Sequence, residues 1–231
     1  MTKTFFITGT DTEVGKTISS VALLRAAAKK GLLTAAFKPV ASGCDLMEEG
    51  LCNQDVVLLQ QNSGIKLAYD EAVGYCFEPH IAPHIASAEC GIPIQLSVLS
   101  EGLDHLREME PDLIFVEGAG GWRLPLGQQQ FLSDWVRHEN IPVIMVVGAK
   151  LGCLNHAMLT YEAIRNDHLQ VAGWCVNRIH PGMSHYKDNV DTLKSIIDAP
   201  FLGEIPYLPR PIESDLGQYL DISPLLACDS A

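Results

Sequence analysis

The 231-residue chain is short of positive charge. Sixteen Lys and Arg stand against 28 Asp and Glu, a formal net charge of −12, and no basic cluster interrupts the deficit. Nucleic acid is disfavoured as a partner, because phosphate backbones are held by a basic footprint. A small nucleotide needs only a local pocket and stays open. Long apolar runs are also missing. The longest, residues 142–149, is far too short to span a bilayer. The N-terminus runs straight into an apolar strand with no stretch that fits a signal peptide. No membrane partner and a cytoplasmic location are therefore expected. Seven cysteines form no C-x-x-C pair and are odd in number, which fits free thiols in a reducing compartment. There is no internal repeat, low-complexity segment or dividing linker. Residues 1–231 are expected to form one domain, with a frayed tail from about residue 224.

What is present is organised around Thr8-Gly9-Thr10-Asp11-Thr12-Glu13-Val14-Gly15-Lys16-Thr17. An apolar run, Phe5-Phe6-Ile7, precedes it, and a helical pattern over 18–30 follows. Strand, glycine turn and helix start are the setting of a phosphate-binding loop. Gly15-Lys16-Thr17 keeps the usual ending, whereas the first glycine is displaced by one residue, to Gly9. Backbone N–H groups of such a loop converge on an anion, and the helix start adds partial positive charge. Gly15 permits close approach, Lys16 is placed for the β- and γ-phosphates, and the Thr17 hydroxyl for Mg²⁺.

Strand and helix signals alternate along the rest of the chain. That predicts an α/β fold with a mostly parallel central sheet flanked by helices. Residues 32–37 form a second strand, and Pro39 is expected to end it, opening a loop. Ligands of such sheets bind beyond the carboxyl ends of the strands, so Lys38 and Ser42 are candidates to share a site with Lys16. Residues 50–61 are expected to be a helix with Asp55 in its first turn, and capping alone would explain that acid. Residues 69–94 are rich in Pro, His and Gly. Pro83 between His80 and His84 argues against a helical metal pair, and a surface loop lining the cleft is expected. Strand 113–116 ends in Glu117-Gly118-Ala119-Gly120-Gly121, an acid and glycines where a second metal-organising motif belongs. Further strands are expected at 142–147, 171–176 and 201–205, and helices at 94–109, 131–139, 156–166 and 185–197. Asn155 would cap the third of these helices.

Taken together and in order, these segments resemble dethiobiotin synthetase, an ATP-dependent enzyme family of the biotin pathway. The likeness rests on residues 8–17, on Lys38-Pro39-Val40-Ala41-Ser42-Gly43 and on Glu117-Gly118-Ala119-Gly120-Gly121. Val147-Gly148 with 150–160, Asn177 and Gly203-Glu204-Ile205-Pro206 complete it. The resemblance implies a phosphate-loop NTPase fold. It also implies a ligase that closes the cyclic urea of dethiobiotin from diaminopelargonic acid and CO2 or bicarbonate, with ATP as co-substrate and Mg²⁺. The implied path is a substrate carbamate and then a mixed carbamic–phosphoric anhydride. Lys38, Lys16 and Thr12 would be catalytic, and Ser42 and Asn155 would hold the substrate. Asn155 would come from the partner chain of a homodimer. Thr17, Asp55 and Glu117 would organise Mg²⁺, a role that displaces simple capping for Asp55. ATP would meet Glu13, Val14, Gly15, Lys16, Thr17, Ile18, Asp55, Glu117, Gly118, Ala119, Gly120, Asn177, Arg178, Pro206, Tyr207, Leu208 and Glu213. The stretches 44–51 and 122–133 carry no family signal.

Two other classes share the loop. Partitioning or division-site ATPases carry an extra lysine five residues before the loop lysine, where this chain has Asp11. Amidating ligases need a glutamine-hydrolysing domain for which 231 residues leave no room.

Overall fold

The computed structural model describes residues 2–48 and 50–227. The chain begins with strand β1 (Lys3–Gly9), helix α1 (Lys16–Lys29) and strand β2 (Thr34–Ser42). A hairpin of β3 (Asp45–Met47) and β4 (Gly50–Cys52) then leads to α2 (Gln54–Asn62) and β5 (Val73–Phe77). Helices α3 (Pro83–Cys90) and α4 (Leu96–Glu108) precede β6 (Leu113–Gly121). A second hairpin, β7 (Pro125–Gly127) and β8 (Gln130–Phe131), is followed by α5 (Leu132–His138). The chain closes with β9 (Val143–Gly148), α6 (Cys153–Asn166), β10 (Val171–Asn177), α7 (Tyr186–Ile196), β11 (Phe201–Ile205) and α8 (Ser223–Ala227).

Seven strands form one sheet in the order β11-β10-β9-β1-β6-β2-β5, and every pairing in it is parallel. Parallel sheets are covered on both faces, which is why β9 and β10 are buried along their whole length. Successive residues therefore enter opposite cores. Phe6, Val116 and Met145 join one, with α3 to α7. Phe5, Ile7, Phe115 and Ile144 join the other, with α1 and α8. The chain leaves β1 toward β2 and β5, returns to β6 beside β1, and then crosses to β9 on the other side. That reversal around β1 opens a crevice at the carboxyl ends of β1, β6 and β9.

Several expectations change here. Pro39 does not end β2. Up to Phe37 the strand pairs with β6, and from Lys38 it pairs with β5 instead. The Lys38 N–H donates to the Ala72 carbonyl at 2.8 Å, so by alternation the amide position of Pro39 faces β6, where pairing has already stopped. A proline costs no ladder bond there. Residues 50–52 are strand, not helix, and the α2 cap is Asn53. The stretch 69–94 holds β5 and α3 as well as loop, with Pro83 in the first turn of α3, where its missing N–H costs nothing. Helix α6 starts at Cys153 with Gly152 as its cap, so Asn155 lies inside its first turn and is exposed. The tail expected from about 224 is helical through Ala227, with Leu225 buried, and residues 228–231 lie outside the described residues.

Candidate active site

The phosphate loop spans from the end of β1 to the start of α1. Its displaced glycine has a steric reason. A Cβ on Gly9 would stand 2.6 Å from Val14 and 2.7 Å from the Asp11 carbonyl oxygen. Gly15 turns the chain into α1 at φ +85°, and a Cβ there would lie 1.9 Å from Asn177 Nδ2. Asn177, at the end of β10, donates that amide to the Val14 carbonyl at 3.0 Å, which clamps the loop from across the crevice. No side chain caps the start of α1, so its first N–H groups are left for a ligand.

Around this helix start, four elements deliver charge. Lys38 on β2 is buried, and its Nζ lies 2.7 Å from Glu117 Oε1 and 3.1 Å from Asp55 Oδ2. Glu117 on β6 is 0% exposed, so its carboxylate has almost no water to solvate it. The Thr17 hydroxyl donates to the same Oε1 at 3.0 Å, whereas Glu117 Oε2 is buried with no hydrogen-bond partner. A bare buried carboxylate oxygen beside a hydroxyl and a second carboxylate is a donor set that suits a hard, oxygen-liganded cation such as Mg²⁺.

The electrostatics separate the two lysines. Burial works against the charge on Lys38, but Glu117 and then Asp55 outweigh it and raise its pKa above the ordinary lysine value. Burial dominates at Lys16 and, with Lys38 nearby, lowers its pKa to about 8 despite Glu117. Its ammonium rests on the Asp11 carbonyl at 3.4 Å. Burial raises and Lys38 lowers the pKa of Asp55, with a net lowering. Lys16, Thr17, Lys38, Asp55 and Glu117 thus form one interacting group; for Asp55 the family resemblance, not the local pattern, implies this.

The other expected residues fall around it. Thr12 is exposed at the loop's crest, and a Cβ on Gly120 would come within 3.8 Å of its hydroxyl, so Gly120 of β6 faces it. Ser42 ends β2, four residues beyond Lys38 and hence on the same strand face. A cleft of about 240 Å³ is lined by Gly15, Ile18, Asn177, Arg178, Pro206, Tyr207 and Leu208, together with Ile179, Ile205 and Pro211. Its lining is largely apolar and it opens beside the phosphate loop, which suits a flat base. Glu213 is not among the lining residues; it is exposed and pairs with Arg210 at 3.4 Å. Glu13 is exposed at φ +58°, and Val14 is buried under the loop. Asn155 presents an exposed side chain on α6 and joins none of these pairings.

Two features escaped sequence reasoning. Lys150, just after β9, pairs with Asp11 at 2.6 Å and ties the loop to the segment before α6. This pairing, ahead of the Thr12 amide, lowers the Asp11 pKa. Asn53 caps α2 through Oδ1, accepting from the amides of Asp55 and Val56. An Asn two residues before the acid was a usable signal for that cap.

A family profile described as an AAA domain matches residues 3–213. The chain is 60% identical to the ATP-dependent dethiobiotin synthetase BioD of Tolumonas auensis, over 98% of this chain and 100% of that protein. It is 55% identical to the protein of the same name from Aeromonas hydrophila, with the same coverage. Among solved structures it is similar to a ParA family ATPase from Chlorobium tepidum, with a TM-score of 0.55 and 14% identity. That match covers 94% of this chain and 90% of the other. It is also similar to the MinC:MinD cell division protein complex of Aquifex aeolicus, with a TM-score of 0.53 and 18% identity, covering 95% and 87%. These structural likenesses establish the phosphate-loop NTPase fold.

Proposed function

The chain belongs to the dethiobiotin synthetase family, and we propose that it is an ATP-dependent ligase of biotin synthesis that closes the ureido ring of dethiobiotin. Diaminopelargonic acid, CO2 and ATP are the substrates, and ADP and phosphate leave with the product. The observation that carries this reading is the Lys38 ammonium, buried between Glu117 and Asp55 beside an uncapped helix start.

The chemistry follows from charge. One substrate amine adds to CO2 and loses a proton, giving a carbamate. A carbamate oxygen then attacks the γ-phosphorus of ATP, ADP departs, and a carbamic–phosphoric anhydride remains. The second amine attacks its carbonyl carbon, and phosphate leaves with the oxygen that joined it to carbon. Negative charge gathers on the transferring oxygens, so fixed cations at that point stabilise the transition state most. Lys38 holds the carbamate, and its raised pKa keeps it charged throughout. Lys16 holds the phosphates, whose charge restores the proton that burial disfavours. Thr12 and Ser42 orient the carbamate and the second amine. Thr17, Asp55 and Glu117 would hold Mg²⁺, which would offset negative charge on the nucleotide's phosphates. Gly15, Ile18, Asn177, Arg178 and the 206–208 turn enclose the base. Ala119 and Gly120, small residues that follow on β6, leave room for phosphate, while Gly118, where a Cβ would stand 2.6 Å from the Phe6 ring, meets the nucleotide through its backbone. Asn155, exposed on α6, serves the substrate's far end from the partner chain of a homodimer.

The order of bond making is tested with ¹⁸O-labelled bicarbonate. One labelled oxygen should appear in the released phosphate. Phosphate free of label would refute the anhydride.

A further inference from the structure

Asn53 joins two parts of the site that the chain itself separates. Ser42 ends β2 and Asp55 stands in the first turn of α2, and between them runs the β3–β4 hairpin, whose first strand is exposed. Asn53 is 7% exposed, so each of its polar groups needs a partner inside the protein. Its Oδ1 accepts from the Asp55 amide at 3.0 Å and from the Val56 amide at 3.4 Å. Its Nδ2 donates to the Ser42 carbonyl at 3.3 Å. Its own N–H donates to the Tyr69 hydroxyl at 2.7 Å. That hydroxyl shares a further hydrogen bond with Cys76 Sγ on β5, at 3.3 Å. One side chain thus fixes the first turn that presents Asp55 to Lys38, and the strand end that presents Ser42.

We infer that Asn53, anchored by Tyr69, is a positioning residue that couples the cation side of the site at Asp55 to the diamine side at Ser42. The residue type is demanded by the geometry. Serine or aspartate caps a helix about as well. Aspartate has no donor for the Ser42 carbonyl, and serine is too short to cap α2 and reach that carbonyl together. The inference rests on the proposed roles of Asp55 and Ser42.

Asn53→Ser separates the two functions, because it keeps the cap and drops the bond to Ser42. Asn53→Ala drops both. Diaminopelargonic acid affinity is read by calorimetry, and Mg²⁺ by the concentration that half-restores the ADP-induced rise in Tm. Steady-state KM and kcat accompany them. Asn53→Ser should raise Kd and KM for the diamine about fivefold, the worth of one ordinary hydrogen bond. Its Tm should fall by only the roughly 2–4 °C that one lost hydrogen bond costs in a chain of this length, and its kcat and Mg²⁺ midpoint should stay within error of wild type. Asn53→Ala should shift the diamine and Mg²⁺ midpoints together. A purely structural cap would lower Tm without splitting the two ligands. An Asn53→Ser protein with unchanged diamine affinity, beside a wild type that turns the diamine over, would overturn the coupling alone. A wild type with no diamine-dependent turnover would overturn the proposed function, and the coupling with it.

Discussion

Replacing Lys38 by methionine keeps most of the side chain's length and removes its charge, which strands Glu117. That carboxylate is 0% exposed, has one oxygen without a partner, and has Lys38 Nζ only 2.7 Å from the other. Breaking a buried pair from one side costs about 3–5 kcal/mol, because the remaining charge is left uncompensated. Lys16 offsets part of this, since Glu117 acts on its charge as well, so a loss at the lower end, about 3 kcal/mol, is expected for the apoprotein. For a chain of this length that corresponds to a fall in Tm of roughly 6–12 °C. Asp55 is 42% exposed, so its separation from Lys38 adds little in water. Adding Glu117→Gln to Lys38→Met removes both charges and should recover more than half of the loss, the non-additivity expected of contacting residues. Urea unfolding of wild type, both single variants and the double variant at pH 7 completes the cycle. Turnover in Lys38→Met should fall on the order of 10²-fold or more, as on losing one charge-stabilising donor. A Lys38→Met protein within about 1 kcal/mol of wild type, or a double variant no more stable than the single, would refute a buried, mutually dependent pair.

Other consequences follow from the same geometry. Lys16, with a pKa near 8 in the apoprotein, should take up about half a proton when ADP binds at pH 8, because phosphate charge favours the ammonium. Calorimetry in two buffers of different ionisation enthalpy reads this directly, and zero uptake would count against it. Because its folded pKa lies below its unfolded value, Lys16 makes apoprotein stability rise with pH from about 8 toward 10.5; urea midpoints across that window check the sign. Gly15→Ala forces a left-handed backbone on alanine, costing roughly 1–2 kcal/mol, and pushes a Cβ into Asn177. Nucleotide affinity should therefore drop at least tenfold, measured by the ADP-induced shift in Tm. The Lys150 and Asp11 side chains are 33% and 40% exposed, so a double-mutant cycle should give under about 1 kcal/mol of coupling.

Much of this architecture is legible in the sequence. The unbroken apolar strands at 113–116 and 142–147 announce a sheet buried on both faces, and Gly15-Lys16-Thr17 marks where its crevice lies. Lys38 and Glu117, each expected where a strand ends, lie midway along β2 and β6, which run on to Ser42 and Gly121, while Asp55 stands in the first turn of α2. What is not legible depends on pairing partners. Pro39 stays in β2 only because the strand changes neighbour at Lys38, a fact no local pattern contains. Asn53 takes the cap expected of Asp55 because a short hairpin strand, not a helix turn, occupies 50–52. Asn155 reads as a cap only because the αL glycine at 152, which starts α6 earlier, carries no side-chain signal. Glu213 stands apart from the cleft that holds its expected neighbours.

The most direct test of the proposed function is phosphate release from MgATP and bicarbonate, with and without diaminopelargonic acid, followed by mass analysis of the product. Release that requires the diamine, with dethiobiotin formed in equal amount, is the predicted result. Phosphate release indifferent to the diamine, with no dethiobiotin, would contradict a ring-closing ligase and leave only a nucleotide-hydrolysing fold.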